Sequence, residues 1–202
     1  TKRFGSLTAL QEADLRVAPG SIHAVLGENG AGKTTLLRMA FGMLAPDAGS
    51  MTIDARPYAP RSPRDAMEAG VGMVHQHYSL VPAMTVAENV VLGLARRWDP
   101  RAAAAAVLDA ATTLGLSVDP SARVEHLSVS EQQRVELIKC VVRGARVLIL
   151  DEPTAVLAPD ESRHLLRRLQ TFARSGGAVV LITHHVREAL AYADAVTVLR
   201  GG

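Results

Sequence analysis

The sequence predicts an α/β fold: a mainly parallel sheet covered by helices and interrupted by a helical lobe. Three observations carry this. Short, almost uniformly apolar runs occur at 22–26, 147–150, 178–183 and 195–199, the pattern of strands buried on both faces. Helix-like stretches at 160–174 and 186–193 separate the last three of these runs, as crossover connections require. Between Thr85 and Arg143, by contrast, only helical patterns appear.

Taken in order, Leu10, Ala13, Leu15 and Val17, the last three alternating with polar residues, predict a strand with one exposed face, closed by Pro19-Gly20. The buried run 22–26 leads directly into Gly27-Glu28-Asn29-Gly30-Ala31-Gly32-Lys33-Thr34, and 35–43 then has a helical pattern. Residues 101–114 include five consecutive alanines, which favour helix by propensity. Residues 130–142 form an amphipathic helix through Val135, Ile138, Val141 and Val142. No internal repeat is visible.

Composition bounds the function classes. The 202 residues suffice for one core with a smaller lobe, not for two full domains. Aromatics are only 3% of the chain, so Leu, Val, Ile and Ala must fill the interior. A net charge of +2, with acidic and basic residues scattered, argues against a nucleic-acid partner. The single cysteine, Cys140, excludes an internal disulfide and is expected as a small buried hydrophobe in a reducing compartment. No apolar run approaches the roughly 20 residues of a membrane span. Thr1 is not an initiator Met, and the chain closes on a strand and a turn signal, so a segment truncated at both ends is expected.

The stretch from Gly27 to Thr34 fits G-x-x-x-x-G-K-[ST]. Glycines let successive backbone N–H groups turn inward on phosphate oxygens, Lys33 adds a positive charge for the β- and γ-phosphates, and the Thr34 hydroxyl can ligate Mg²⁺. The following helix adds its N-terminal partial charge. A buried strand before the loop and a helix after it supply the context this motif needs. The expected ligands are therefore a nucleotide and Mg²⁺.

Asp151 ends the apolar run 147–150, where it can hold Mg²⁺ directly or through water. Glu152 lies one residue further out, at the carboxyl edge where parallel sheets bind ligands. It is placed there to orient or deprotonate an attacking water. His184 closes 178–183 at the same edge, and a γ-phosphate contact is expected of it.

With these residues in place the chain resembles the ABC ATPases along essentially its whole length. Leu127-Ser128-Val129-Ser130-Glu131-Gln132-Gln133-Arg134 is similar to that family's signature, L-S-G-G-Q-x-Q-R, and precedes Asp151 at the family's spacing. Val74-His75-Gln76 resembles the Q-loop, Ile182-Thr183-His184 the switch histidine, and Ala155-Val156-Leu157-Ala158 the D-loop. Phe4, in Lys2-Arg3-Phe4-Gly5, matches the aromatic that stacks on adenine. The resemblance implies a P-loop NTPase (RecA-like) core, an N-terminal antiparallel β portion and an inserted α-helical subdomain. Core segments are expected at 1–76 and 145–202, with the helical subdomain at 77–144.

It also implies roles. ATP would contact Phe4, Gly27, Glu28, Asn29, Gly30, Ala31, Gly32, Lys33, Thr34 and Thr35, while Mg²⁺ would be held by Thr34, Gln76 and Asp151. Hydrolysis would use Glu152, His184, Gln76 and Lys33. Ser128, Val129, Ser130 and Glu131 would face the nucleotide of an opposing cassette.

The segment from Gly72 to Pro82, together with Thr85-Val86-Ala87-Glu88-Asn89, is similar to the simple-sugar and nucleoside importer branch, in which two cassettes are commonly fused. The resemblance then implies an ATPase coupled to import, corresponding to the first cassette of a tandem protein, at the cytoplasmic face of the inner membrane. Its partners would be a second cassette, transmembrane permease subunits and, indirectly, a substrate-binding protein. The alternative is a soluble ABC ATPase of the translation or DNA-repair type. The latter carries a long coiled coil before the signature, and no sustained heptads occur there. One departure stands out, Ser130 at a signature glycine. If that position needs φ > 0, serine costs roughly 1–2 kcal/mol; if it needs only a small residue at a helix start, serine costs little.

Overall fold

The computed structural model describes residues 1–75, 79–94 and 98–202. Five strands form one parallel sheet: β3 (Ile22–Gly27), β6 (Val71–Val74), β7 (Val147–Asp151), β8 (Ala178–Ile182) and β9 (Ala195–Leu199). Their spatial order is β6-β7-β8-β3-β9, and every neighbouring pair is parallel. β1 (Lys2–Phe4) and β2 (Leu7–Leu10) form an antiparallel hairpin, and β4 (Thr52–Ile53) and β5 (Arg56–Pro57) form a second, smaller one.

Alternation along the strands builds a core on each side of the sheet. In β7, Leu148 and Leu150 point into one apolar cluster and Ile149 into the other. The first cluster joins β7 and β8 to α3 (Val86–Val91), α4 (Pro100–Leu114), α5 (Val129–Val142) and α6 (Pro159–Arg174). The second joins Val25, Val180 and Ile182 to α1 (Lys33–Ala40), α2 (Pro63–Glu68) and the N-terminal hairpin. Helices α3 to α5 therefore share one continuous core with the sheet rather than enclosing their own. α7 (Val186–Tyr192) packs over β3, burying Ala189 against Ala24 and Leu26.

Local chemistry sets the helix boundaries. Thr85 caps α3 and Ser128 caps α5, each in a reciprocal capping box with a glutamate three residues on. Asp99 caps α4, whose proline at the first position costs no hydrogen bond, and Gly115 ends it in the left-handed conformation.

The structure differs from the sequence expectations in instructive ways. β2 ends at Leu10, because Glu12 takes φ +49° and the Gln11 amide turns to the Gly202 carbonyl. Ala13, Leu15 and Val17 still pack inward on the second cluster. Alternation survived there; strand pairing did not. The edge strand β6 and the two-residue strands β4 and β5 carry too few residues to announce themselves by period. Helix α5 is also buried more broadly than a stripe. Gln133, Val135, Glu136, Leu137, Ile138 and Cys140 are all inside. Burial pushes the Cys140 thiol up to about 12, so it stays neutral, as expected of a packing cysteine.

Candidate functional site

The loop after β3 is shaped by its glycines. Gly30 and Gly32 adopt φ of +83° and +98°. A Cβ on Gly32 would lie 2.5 Å from the Ala9 carbonyl oxygen, and one on Gly27 would lie 2.6 Å from that of Leu199. The loop is thus wedged between the N-terminal hairpin and β9, and only hydrogen fits at those two positions. Lys33, 6% exposed, curls back so that its ammonium donates to the carbonyls of Gly27 and Glu28 at 2.7 and 2.9 Å. A buried lysine needs such partners to remain charged.

Helix α1 begins at Lys33 with Gly32 as its N-cap, no side-chain cap and no acidic residue in its first turn. Its leading N–H groups have no capping side chain, the arrangement that suits an anion. Thr34 is exposed and Thr35 half-buried at this same turn.

The carboxylates come from β7. Asp151, its last residue, is half-buried, and burial together with the charge of Glu152 raises its carboxyl above the usual range. Lys33 and His75 pull the other way, which puts all of these charges in one electrostatic neighbourhood. Glu152 takes φ +48°, a left-handed conformation that costs a non-glycine residue roughly 1–2 kcal/mol. Its amide donates to the Ile182 carbonyl at 3.0 Å. That twist sends its side chain to the rim, where Oε1 lies 3.2 Å from His184 Nδ1. His184 is half-exposed in the turn after β8, its ring 4.2 Å from that of His185. Thr183, buried, accepts the His185 amide at 2.9 Å and steadies the turn.

The ends of β3, β7 and β8 thus bring the Lys33 loop, Asp151, Glu152 and His184 to the carboxyl edge of the sheet. The residues present fit a magnesium nucleotide. An uncapped helix start and a buried ammonium suit an anion, while one hydroxyl (Thr34) and one carboxylate (Asp151) suffice for Mg²⁺, which takes most of its oxygens from phosphate and water. No group of three or more His, Cys, Asp or Glu side chains suited to a metal occurs among the described residues.

Other expected residues are distributed around this rim. Phe4 lies on β1, 46% exposed, with the Lys2 ammonium 5.6 Å from its ring centre. Ser128 is the N-cap of α5, its hydroxyl donating to Glu131 Oε2 at 2.7 Å and lying 3.3 Å from the Ser130 hydroxyl. Val129 is exposed beside it. Ser130 sits in the first helical turn and is absent from the positive-φ residues, so the serine carries no backbone strain. Gln76, expected to reach the metal, falls outside the described residues.

One polar residue had no role assigned from sequence. Gln133, inside α5, donates to the Pro153 carbonyl at 2.6 Å. Its signal was in the sequence: at spacings of four and seven from Leu137 and Cys140, it occupies a core position of the helix.

A glycine-rich loop around a buried lysine, at the edge of a parallel sheet beside an acidic pair, defines an α/β P-loop nucleotide-binding fold. The ABC transporter family model matches residues 10–155, and the chain belongs to that family. It is 43% identical over its full length to the nucleoside import ATP-binding protein NupA of Lactococcus lactis, and 45% identical to the ribose import ATP-binding protein RbsA 1 of Burkholderia thailandensis. In both cases it spans 41% of the relative's length. Among solved structures, the ADP conformation of an ATP-binding cassette of an ABC transporter superposes with a TM-score of 0.89 at 23% identity, covering all of this chain and 85% of that one. A dimeric bacterial cassette matches at 0.80 and 21% identity, over 97% and 88% of the two chains. At these identities the likeness establishes the fold.

Proposed function

We propose that this chain is an ATP-hydrolysing cassette of an importer for nucleosides or simple sugars, working in a pair. The observation that carries the reading is the meeting of Glu152 and His184 at 3.2 Å on the rim that also holds Lys33 and Asp151. Phe4 stacks on adenine. The loop from Gly27 to Thr35 holds the phosphates through backbone amides and the Lys33 ammonium. Thr34, Asp151 and Gln76 would hold Mg²⁺, which would supply positive charge against the phosphoryl group being transferred.

Glu152, oriented by His184, accepts a proton from the attacking water or aligns it. His184, half-exposed, is free to turn to the γ-phosphate once nucleotide is present. Ser128 and the start of α5 are exposed, so they are available to a nucleotide on an opposing cassette, and each site is completed by its partner. ATP then holds two cassettes together and hydrolysis releases them.

The division into a core at 1–76 and 145–202 and a helical subdomain at 77–144 belongs to the same reading. A groove between α5 and β6, lined by Phe41, Met67, Met73, His75, Lys139 and Arg143, is the surface offered to a permease subunit. No helix of the described residues is long and apolar enough to cross a membrane. In this reading a permease subunit supplies the membrane path, and the chain sits at the cytoplasmic face. The names of the relatives favour import of nucleosides or ribose over the soluble, non-transporting alternative.

The test is Glu152→Gln in the full-length protein with its membrane subunits. ATP binding should persist while turnover falls by about a hundredfold or more. Wild-type turnover in that variant would overturn the assignment.

A further inference from the structure

The left-handed turn at Glu152 is closed by backbone bonds from the Ala155 amide to the Glu152 carbonyl at 3.2 Å and from the Glu152 amide to the Ile182 carbonyl at 3.0 Å. Pro153, which follows it, has no N–H, and Pro153 and Thr154 are both buried. Two side chains from different helices grip this turn. From one side Gln133, 2% exposed, donates Nε2 to the Pro153 carbonyl at 2.6 Å. From the other, Thr154 donates its hydroxyl to Glu188 Oε2 at 2.7 Å, Glu188 lying in the first turn of α7 just past His184. Without Gln133 the Pro153 carbonyl would be a buried acceptor lacking this partner, and the Pro153–Thr154 peptide would keep only the Thr154–Glu188 hold among these two side-chain bonds.

We infer that Gln133 is a positioning residue for hydrolysis: its carboxamide fixes the Pro153 peptide and so aims the Glu152 carboxylate. The inference rests on the reading of Glu152 as the group that acts on water. It has a consequence for coupling. Gln133 lies five residues past Ser128 on the same rigid helix, so the segment that would face an opposing nucleotide is bonded directly to the turn carrying this chain's own carboxylate. Displacement of α5 at one site is transmitted to Glu152 at the other through one hydrogen bond and one peptide.

Two variants in the full-length protein with its membrane subunits separate this role from simple packing. Gln133→Leu removes the donor. Gln133→Glu keeps the shape but can donate only when its carboxyl is protonated. At pH 8 both should lose about tenfold in kcat, counted per ATP-binding site, with KM for ATP changed by less than about twofold. Between pH 8 and 6, Gln133→Glu should recover severalfold relative to wild type, and Gln133→Leu should not. Glu152→Gln, measured alongside, isolates the underlying assumption. If it hydrolyses ATP normally, the reading of Glu152 fails irrespective of Gln133. If it is inactive, any other pattern in the two Gln133 variants overturns the inference, including unchanged kcat, joint loss of KM and kcat, or no recovery of Gln133→Glu at low pH.

Discussion

Glu152 and His184 face each other at 3.2 Å across the ends of two adjacent parallel strands, and the glutamate reaches that position only by adopting φ +48°. A residue in ordinary strand conformation would continue along β7. The left-handed turn instead swings the carboxylate sideways to β8, where the amide of Glu152 is caught by the Ile182 carbonyl. Backbone strain here is coupled to placement of this carboxylate, and it yields a first prediction.

Glu152→Gly removes the steric cost of the positive φ and returns part of the gain to the more flexible unfolded chain. The nucleotide-free variant should be as stable as wild type or more stable by up to about 1 kcal/mol, while hydrolysis is lost. Denaturant unfolding measures this directly. A midpoint well below wild type would show that the glutamate contributes more through contacts than it costs in strain.

Asp151 makes a related case through charge. Burial first, and the neighbouring Glu152 second, raise its carboxyl, and Lys33 and His75 offset this only in part. A carboxyl with a folded pKa above its unfolded value near 3.8 is a destabilising charge at neutral pH, relieved as pH falls through the folded pKa. Asp151→Asn should therefore stabilise the nucleotide-free protein at pH 7, an advantage that shrinks toward pH 4 as the wild-type group protonates. Mg²⁺-dependent hydrolysis should drop by about a hundredfold. Equal unfolding midpoints at pH 7 would remove the electrostatic argument.

The buried strands were legible because two-sided burial leaves an unbroken apolar run, as in Ile22 to Leu26, and the groups at their ends followed from counting outward. Asp151, Glu152 and His184 were found in this way, each one or two residues past such a run. What stayed hidden depends on contacts between segments distant in sequence. The left-handed turn at Glu152 involves no glycine and leaves no mark in composition. The bond from Gln133 to Pro153 spans twenty residues and joins a helix to a loop. The interruption of the N-terminal strand at Glu12 was equally invisible, since Ala13, Leu15 and Val17 keep the alternation of a strand without the pairing. For Ser130 the sequence posed two alternatives, and a helical position behind the Ser128 cap resolves them in favour of the unstrained one.

The phosphate loop offers a test that separates dihedral strain from collision. Gly30 and Gly32 both have positive φ, but a Cβ on Gly30 meets nothing within 4 Å, whereas on Gly32 it meets the Ala9 carbonyl at 2.5 Å and a Leu10 methyl at 2.8 Å. Gly30→Ala should cost about 1–2 kcal/mol, the dihedral term alone. Gly32→Ala should cost that plus roughly 1–3 kcal/mol for overpacking against backbone, and should displace the amides that begin α1. Thermal unfolding and nucleotide titration of the two variants give the comparison. Equal losses would mean that the hairpin yields to the added methyl.

His23 supplies a prediction away from the rim. It lies inside β3, buried, with Nε2 2.8 Å from the Thr197 hydroxyl of edge strand β9, so a titratable ring ties the last strand to the sheet. Burial lowers its pKa below 6.5, and a backbone group of Arg16 opposes this only partly. The sign follows from proton counts. Between the depressed folded pKa and 6.5 the unfolded chain binds more protons than the folded one, so stability is complete above 6.5 and is lost as pH falls through the folded value. His23→Gln keeps a side chain able to bond Thr197 but does not titrate. Wild type should lose stability from pH 6.5 downward more steeply than His23→Gln, with the two curves parallel above pH 7. Urea midpoints taken from pH 8 to pH 5 decide the matter, and curves that stay parallel throughout would mean that the ring is protonated within the fold as readily as in the unfolded chain.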